Sequence, residues 1–147
     1  MDMQDKKHRQ AIGNYCVCFN LRRAARLVTQ RYDRALKGSG LKATQFSVLV
    51  TAHSNDDILL TKMARALGMD RTSLTRNLNI MAAKGLVIVK AGHDKRERRV
   101  SITPKGREVL EDAFELWQNV QNEMVESIGQ ENWAGLLSGL REVSRKA

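Results

Sequence analysis

The chain has 147 residues, of which 42% are hydrophobic, and a formal net charge of +9. This length suits one domain, and the single proline and the lack of low-complexity sequence favour a mainly helical fold over a sandwich or a disordered chain. No apolar run reaches the roughly 18 to 20 residues that a membrane span needs, and residues 1–10 lack the apolar core of a secretory signal. We therefore expect a cytoplasmic protein with no membrane partner.

The positive charge is concentrated in the first two thirds of the chain. Residues 1–103 carry 20 Lys and Arg against 8 Asp and Glu, a net +12, whereas residues 104–147 carry 5 against 8, a net −3. Such asymmetry indicates a polyanionic partner. Nucleic acid is favoured over an anionic membrane, because no segment combines a basic face with a strongly apolar one. A generally basic, solvated surface is the alternative that charge alone leaves open.

The first long element is an amphipathic helix predicted from Arg9 to Leu36 and ended by Gly38-Ser39-Gly40. At about 1.5 Å per residue such a helix would be about 40 Å long, which is more than one small core can cover. We therefore expect part of this helix to pack on another chain.

Three shorter helices follow, and each has a plausible N-cap. The first ends near Ser54, the second at the Gly68 turn and the third at Gly85. The predicted N-caps are Thr44, Thr61 and Asp70. The second and third helices, joined by a tight turn, are typical of a helix-turn-helix.

The third of these helices has two distinct faces. At about 100° per residue, Leu74, Leu78 and Met81 share one face, which is expected to enter the core. The other side is polar and cationic, and residues 71–84 contain no carboxylate, unlike an ordinary solvated helix. Arg suits guanine and Asn suits adenine in the major groove. The predicted DNA-reading residues are Arg71, Thr72, Ser73, Thr75, Arg76 and Asn79.

Two β-prone runs, LVIVKAG and RRVSIT, flank the charged stretch HDKRE and predict a β-hairpin. A hairpin that follows a recognition helix is a wing, and its cations would reach the minor groove or its phosphates. The carboxylates of Asp94 and Glu97 are expected to hold the arginines in position. An exposed hairpin of mutually paired charges is the alternative. The candidate wing residues are Asp94, Lys95, Arg96, Arg98 and Arg99.

After the hairpin, Thr103 and Pro104 predict the N-cap and first position of another helix. This helix carries an apolar seam that would pack lengthwise on another helix. The seam consists of Leu110, Ala113, Trp117, Val120 and Met124. A last amphipathic segment closes the chain.

These features resemble the MarR family of winged-helix transcription regulators over nearly the whole chain. The resemblance rests on LTKMARALGMDRTSLTRNLNIMAAKGLV, on Asp94-x-Arg96 with Arg99 three residues further, and on SITPKG after the wing. It implies a symmetric homodimer that binds pseudo-palindromic DNA, most often as a repressor, with Arg96 in the minor groove. Within a single domain of residues 1–147, segments 1–40 and 105–147 would form the dimer and segment 41–104 the winged DNA-binding lobe.

The resemblance also implies a small effector, often an aromatic anion, bound where the dimer helices meet the DNA-binding lobe. No cofactor and no metal are expected. The candidate pocket residues are Tyr15, Phe19, Arg22, Arg23, Phe46 and His53.

The two cysteines, Cys16 and Cys18, define an alternative mode of regulation. Two positions apart in one helix they point to opposite sides, so they are not expected to bridge each other. Cys18-Phe19-Asn20-Leu21 is nevertheless similar to the first helix of the family branch that senses organic hydroperoxides. In an ungapped match Tyr32 fits one supporting tyrosine of that branch, whereas Arg22 replaces another. A redox-sensing regulator is thus one alternative, and inert cysteines are the other.

Other classes of protein are less well supported. An enzyme would need Cys16 or Cys18 as nucleophile and His8, His53 or His93 as base, but no such motif is present. Two cysteines at this helical spacing cannot easily share a zinc ion. A double-stranded RNA binder would not need a recognition helix with a wing. A non-specific architectural nucleic-acid binder stays open as a remote alternative.

Overall fold

The computed structural model describes the backbone of residues 6–147 and the side chains of residues 9–147. It is mainly helical with one small sheet, which confirms the predicted winged helix-turn-helix fold class. No helix of residues 6–147 is both long enough and apolar enough to cross a membrane. The helices are α1 (Lys6–Tyr15), α2 (Val17–Ala35), α3 (Ala43–Ser54), α4 (Leu60–Leu67), α5 (Arg71–Ala83), α6 (Pro104–Ile128) and α7 (Gln130–Lys146), with a 3-10 turn at Leu36–Ser39. The strands are β1 (Ile58–Leu59), β2 (Val87–Ala91) and β3 (Arg98–Ile102).

The predicted single helix from Arg9 to Leu36 is wrong, because the helix breaks at Cys16. Cys16 has extended backbone angles, φ −70° and ψ 113°, and its thiol sulfur accepts the N–H of Phe19 at 3.4 Å as the N-cap of α2. The side-chain amide of Asn20 donates to the carbonyl oxygens of Gly13 and Cys16, at 3.0 and 2.9 Å. The Asn20 amide thereby takes the place of the backbone N–H that the Gly13 carbonyl would accept in a continuous helix. This hydrogen bond offsets part of the free-energy cost of the break. The unbroken helix assumed for Cys16 and Cys18 is therefore absent.

Two of the three predicted N-caps in the next helices are also wrong. The first helix begins at Ala43, whose N–H donates to Asp33 Oδ1 of α2 at 2.7 Å, while the Lys42 N–H donates to Gln45 Oε1 at 3.1 Å. A carboxylate from a neighbouring helix therefore replaces Thr44 as the cap. The next helix begins at Leu60, directly after β1, so Thr61 lies inside α4. The predicted caps Asp70 and Thr103 are confirmed.

The sheet has three antiparallel strands in the order β1-β3-β2. The predicted hairpin is confirmed, with Val87 opposite Ile102 and Val89 opposite Val100. The sequence did not predict β1, because two residues are too few to show an alternating pattern. Its pairing of Ile58 with Val100 fastens the hairpin to the segment that precedes α4.

The core joins α4 and α5 to α6. Leu74, Leu78 and Met81 are at most 1% exposed, which confirms the predicted buried face of α5. They belong to one apolar cluster with Leu110 and Ala113 of α6. Large apolar side chains on α1, α2 and α7 are instead exposed: Ile12, Leu27, Val28, Leu136, Leu140 and Val143.

A close approach between two backbone segments fixes the corner where β3 turns into α6. The Thr103 hydroxyl accepts the N–H of Gly106 at 2.9 Å and donates to the carbonyl of Gly85 at 2.6 Å. The Thr103 N–H also donates to the Leu86 carbonyl at 3.1 Å. A Cβ on residue 106 would lie only 2.1 Å from that carbonyl oxygen, so only glycine lets α6 pack here.

We predict that Gly106→Ala lowers the free energy of unfolding by about 3 kcal/mol, because the added methyl group forces α6 away from Leu86. Urea unfolding followed by far-UV circular dichroism at one protein concentration measures this loss. Gly139→Ala on α7 is the matched control, because its methyl group meets no atom within 4 Å. Helix propensity should make that control about 0.5 to 1 kcal/mol more stable. Equal stability of the two variants would contradict the close-approach explanation.

Candidate nucleic-acid interface

The turn between α4 and α5 fixes the direction in which α5 leaves the core. Gly68 has a φ of 61°, and the Met69 N–H donates to the Ala64 carbonyl at 2.9 Å. Asp70 then accepts the N–H of Ser73 at 2.8 Å and its hydroxyl at 2.7 Å. These hydrogen bonds from Ser73 hold the pKa of Asp70 below its usual value, so the cap is a carboxylate at neutral pH. The turn and the cap together are those of a helix-turn-helix.

The outer face of α5 is a continuous polar and cationic surface. Five of the six predicted DNA-reading residues line one shallow groove on it: Arg71, Thr72, Thr75, Arg76 and Asn79. All five are exposed. The sixth, Ser73, is half-buried, and its hydroxyl hydrogen is used at the Asp70 cap. The structure therefore brings the other five residues together on the exposed face of α5, whereas Ser73 belongs to the hydrogen-bonded N-cap of this helix.

At the wing tip, Asp94 and Glu97 were expected to hold the arginines in position, but neither carboxylate forms an ion pair with an arginine side chain within residues 9–147. Asp94 Oδ1 accepts the backbone N–H of Arg96 at 2.9 Å, and the Asp94 carbonyl accepts the N–H of Glu97 at 2.9 Å. The carboxylate of Asp94 therefore shapes the turn, as Asp commonly does two residues before a donor. Lys95, Arg96 and Arg98 are exposed and form no ion pair with any side chain of residues 9–147.

Arg99 differs from the other wing cations because it is tied to the body of the protein. Its Nε lies 2.7 Å from Asp57 Oδ2, and the Ser101 hydroxyl donates to Asp57 Oδ1 at 3.3 Å. The hydrogen bond from Arg99 is the main cause that lowers the pKa of Asp57. Asp57 itself has a left-handed φ of 56°. Sequence reasoning missed Asp57, whose contact with β3 depends on the two-residue strand that follows it.

A cavity of about 400 Å³ lies between α2, α3 and α6. Four of its ten lining residues are aromatic, and among them Trp117 stacks with Phe46 at a ring distance of 6.0 Å and with Phe114 at 5.5 Å. The other lining residues are Tyr32, Leu36, Ala43, Ser47, Val50, Thr51 and Leu67. Sequence reasoning missed Tyr32, Phe114 and Trp117 as pocket residues, because their periodicity is the same as that of core residues.

Only some of the predicted effector residues meet in this region. Phe46 lines the 400 Å³ cavity, and His53 lines a neighbouring cavity of about 300 Å³. The other four candidates are exposed on α1 and α2 and line neither cavity: Tyr15, Phe19, Arg22 and Arg23. The structure thus places the six predicted pocket residues in separate parts of the molecule.

Two polar contacts join α2 to α6 beside the larger cavity. The Tyr32 hydroxyl donates to Gln121 Oε1 at 2.7 Å, and Arg31 pairs with Glu123 at 3.0 Å. Burial raises the pKa of Tyr32, so its phenol keeps its proton and donates at neutral pH. The cavity wall on α2 is therefore connected to the helix that carries Trp117.

The candidate residues for catalysis or metal binding are dispersed. His53 lies on α3 and His93 in the wing loop, while the side chain of His8 lies outside the described residues. In the part of the chain whose side chains are described, no three His, Cys, Asp or Glu groups converge as a metal site would require. Cys16 and Cys18 are free thiols, half-buried and exposed respectively.

Comparisons with known proteins agree with this geometry. Residues 39–97 match the family model described as MarR family. The transcriptional regulator MosR of M. tuberculosis, solved in complex with DNA, is 41% identical with a TM-score of 0.82, over 89% of this chain and 95% of that chain. The transcriptional repressor CouR, bound to a 23-mer DNA duplex, is 26% identical with a TM-score of 0.80, over 90% of this chain and 95% of that one. The HTH-type transcriptional regulator SarZ of Staphylococcus epidermidis is 25% identical over 131 residues, 88% of this chain and 87% of SarZ.

The match to MosR extends over nearly the whole of both chains, and the family model covers the helix-turn-helix and the wing tip. The chain therefore belongs to the MarR family of DNA-binding transcriptional regulators.

Proposed function

We propose that the protein is a homodimeric repressor of pseudo-palindromic operators that a small ligand releases from DNA. It acts through binding and not through catalysis. Two observations carry this proposal: five polar residues lie exposed together on the outer face of α5, and the exposed wing cations Lys95, Arg96 and Arg98 form no ion pair with any side chain of residues 9–147. Side chains that are neither buried nor paired are available to bases and phosphates.

On DNA, α5 would lie in the major groove. Arg76 would then donate two hydrogen bonds to guanine, and Asn79 would pair with adenine. The wing would reach the adjacent minor groove with Arg96, while Lys95 and Arg98 contact phosphates. Arg99 has a different role in this proposal, since its bond to Asp57 positions the wing.

The proposed dimer is supported by the apolar surface that α1, α2 and α7 leave exposed. Leu27 is 54% exposed and Leu136 43%, although both are large apolar residues on amphipathic helices. A second copy related by a two-fold axis would cover this surface. It would also present two α5 helices about one DNA turn apart, which accounts for an inverted-repeat operator.

The 400 Å³ cavity is the proposed effector site. CouR, 25% identical to this chain, has been solved bound to p-coumaroyl-CoA, which supports an aromatic ligand. A ligand that wedges between Phe46 and Trp117 would change the angle between α3 and α6. Such a ligand releases DNA if it binds more tightly to a dimer whose α5 spacing no longer fits the half-sites.

The proposed function is tested by selection of random-sequence duplexes with the purified protein at about 150 mM salt, a concentration that suppresses non-specific phosphate binding. We expect two inverted half-sites about ten base pairs apart. Salt-sensitive binding without an enriched sequence would support the architectural binder and contradict the proposal.

A second mode of release is favoured by the position of Cys16. Its sulfur is the N-cap acceptor of α2, so its oxidation changes the point at which α1 and α2 join. With an organic hydroperoxide, the thiolate sulfur would attack one peroxide oxygen. An S–O bond forms, the O–O bond breaks, and the alkoxide that leaves takes a proton from water to become an alcohol. The sulfur that accepts the Phe19 N–H would then carry a hydroxyl group.

We predict that Arg76→Ala weakens binding to the selected operator by about 1 to 3 kcal/mol and leaves non-specific binding almost unchanged. Fluorescence anisotropy with operator and scrambled duplexes measures both affinities. Arg141→Ala on α7 removes the same charge from an exposed position and serves as the control. If Arg76→Ala lost the same affinity for both duplexes, Arg76 would contact only the DNA phosphates and not a base.

Loss of the ion pair between Asp57 and Arg99 is predicted to weaken DNA binding while the protein stays folded. Asp57→Asn removes the ion pair with Arg99, and we expect operator affinity to fall about two- to fivefold. Asp56→Asn makes the same charge change at the neighbouring exposed residue and should bind DNA normally. The same loss in both variants would mean that net charge, and not the Arg99 contact, is responsible.

The redox mode predicts that Cys16→Ser resists oxidation. Serine is itself a good N-cap, so this variant keeps the start of α2 and binds operator DNA in the absence of peroxide. After treatment with cumene hydroperoxide, wild type and Cys18→Ser should lose DNA binding, and Cys16→Ser should retain it. Sensitivity of Cys16→Ser equal to that of wild type would exclude Cys16 as the sensor.

A further inference from the structure

Three consecutive side chains near the C-terminal end of α2 connect this helix to its neighbours. Arg31 and Tyr32 both bind side chains of α6. Asp33 differs from them because its Oδ1 accepts the N–H of Ala43, the first residue of α3, at 2.7 Å. Asp33 therefore connects α2 to residues 41–104, the segment that carries α3, α4, α5 and the wing.

Among residues 9–147, the bond from Asp33 is the only hydrogen bond or ion pair between α2 and this segment. Asp33 and Ala43 are both half-buried. An N–H in the first turn of a helix has no acceptor inside its own helix, and the helix dipole also favours a carboxylate at this end. The start of α3 is therefore held at one defined place on α2.

In the proposed dimer, this bond affects the position of α5. The exposed apolar surface of α1, α2 and α7 would face the second copy, so α2 is fixed relative to the two-fold axis. Helix α3 shares one apolar core with α5 and moves together with it. The distance between the two α5 helices of the dimer therefore depends on where α3 is held against α2.

The spacing of the half-sites on DNA changes in large steps. One extra base pair moves the second half-site by about 3.4 Å along the duplex and turns it by about 35°. Even if the two copies share this displacement equally, it exceeds what a hydrogen bond of 2.7 Å tolerates. A segment that follows a displaced half-site thus separates Ala43 from Asp33.

We infer that Asp33 is a positioning residue that selects the spacing between the two half-sites without contacting DNA. This inference rests on the proposed dimer and its inverted-repeat operator. At the preferred spacing the bond to Ala43 stays intact in the free and the bound protein, whereas a half-site one base pair nearer or farther is reached only after this bond breaks. Because a hydrogen bond to a charged acceptor is worth about tenfold in an equilibrium constant, the bond disfavours a wrong spacing by about that factor.

Two variants remove this bond from opposite sides. Asp33→Ala removes the acceptor. Ala43→Pro removes the N–H donor at the first position of α3, where proline is compatible with a helix. Lys42 before it has extended backbone angles, φ −94° and ψ 158°, as a following proline requires. Asp112→Ala makes the same substitution at an exposed position of α6 and serves as the matched control.

Fluorescence anisotropy measures the affinity of the full-length protein for the selected operator and for the same operator with one base pair added to or removed from its centre. We expect Asp33→Ala and Ala43→Pro to bind the selected operator as wild type does and to reduce the preference for it over the altered duplexes about tenfold. The double variant should show the same reduction as each single variant, because all three lack the same bond. Asp112→Ala should keep the wild-type preference.

A variant that is merely less stable loses affinity for all three duplexes by one factor, so its preference for the selected spacing does not change. An unchanged preference in Asp33→Ala or in Ala43→Pro would therefore overturn this inference, even if the total affinity fell. Equal binding of wild type to all three duplexes would also overturn it, while leaving the proposed regulator intact. Selection that enriches no inverted repeat would overturn both.

Discussion

The close packing of Gly106 against the Leu86 carbonyl determines how the DNA-binding lobe is attached to the long helix. No side chain separates the two backbones there, and Thr103 adds hydrogen bonds to both sides of the contact. The strand that leads out of the wing therefore enters α6 through a rigid corner. We therefore expect a rotation of α6 to be transmitted through this corner to β3 and the wing.

The same helix connects the wing to the candidate effector cavity between α2, α3 and α6. Trp117 and Phe114 form one wall of that cavity, and the pairs Tyr32–Gln121 and Arg31–Glu123 attach α2 further along α6. In the proposed function, a ligand that separates α3 from α6 would therefore act on both α2 and the wing. The coupling needs no change inside α5, whose buried face stays packed on the core. In this account the effector changes the distance between the two recognition surfaces and leaves their chemistry unchanged.

Local patterns predicted much of this structure. The two faces of α5, the Asp70 and Thr103 caps and the hairpin follow from short-range periodicity and from turn chemistry. Contacts between segments distant in sequence were not predictable. The cap of α3 comes from Asp33 ten residues earlier, and the wing is held by Asp57, which lies 42 residues before Arg99. No single-sequence pattern specifies such pairs.

The candidate effector cavity was also not predictable from the sequence. Tyr32, Phe114 and Trp117 have the spacing of ordinary core residues, and only the packing of α2, α3 and α6 leaves a space between them. The sequence pattern did not reveal the break at Cys16, because the residues around it keep a helical periodicity and Asn20 stabilises the break only through side-chain hydrogen bonds.

If α5 and the wing contact DNA together, both leave a footprint on the operator. Hydroxyl-radical footprinting on the selected operator measures this, because the radical cleaves sugars that are accessible from the minor groove. We expect protection of the minor grooves that flank the two half-sites, and loss of this protection alone in Arg96→Ala, with the central protection retained. An identical footprint for wild type and Arg96→Ala would contradict it, since the wing would then lie away from DNA.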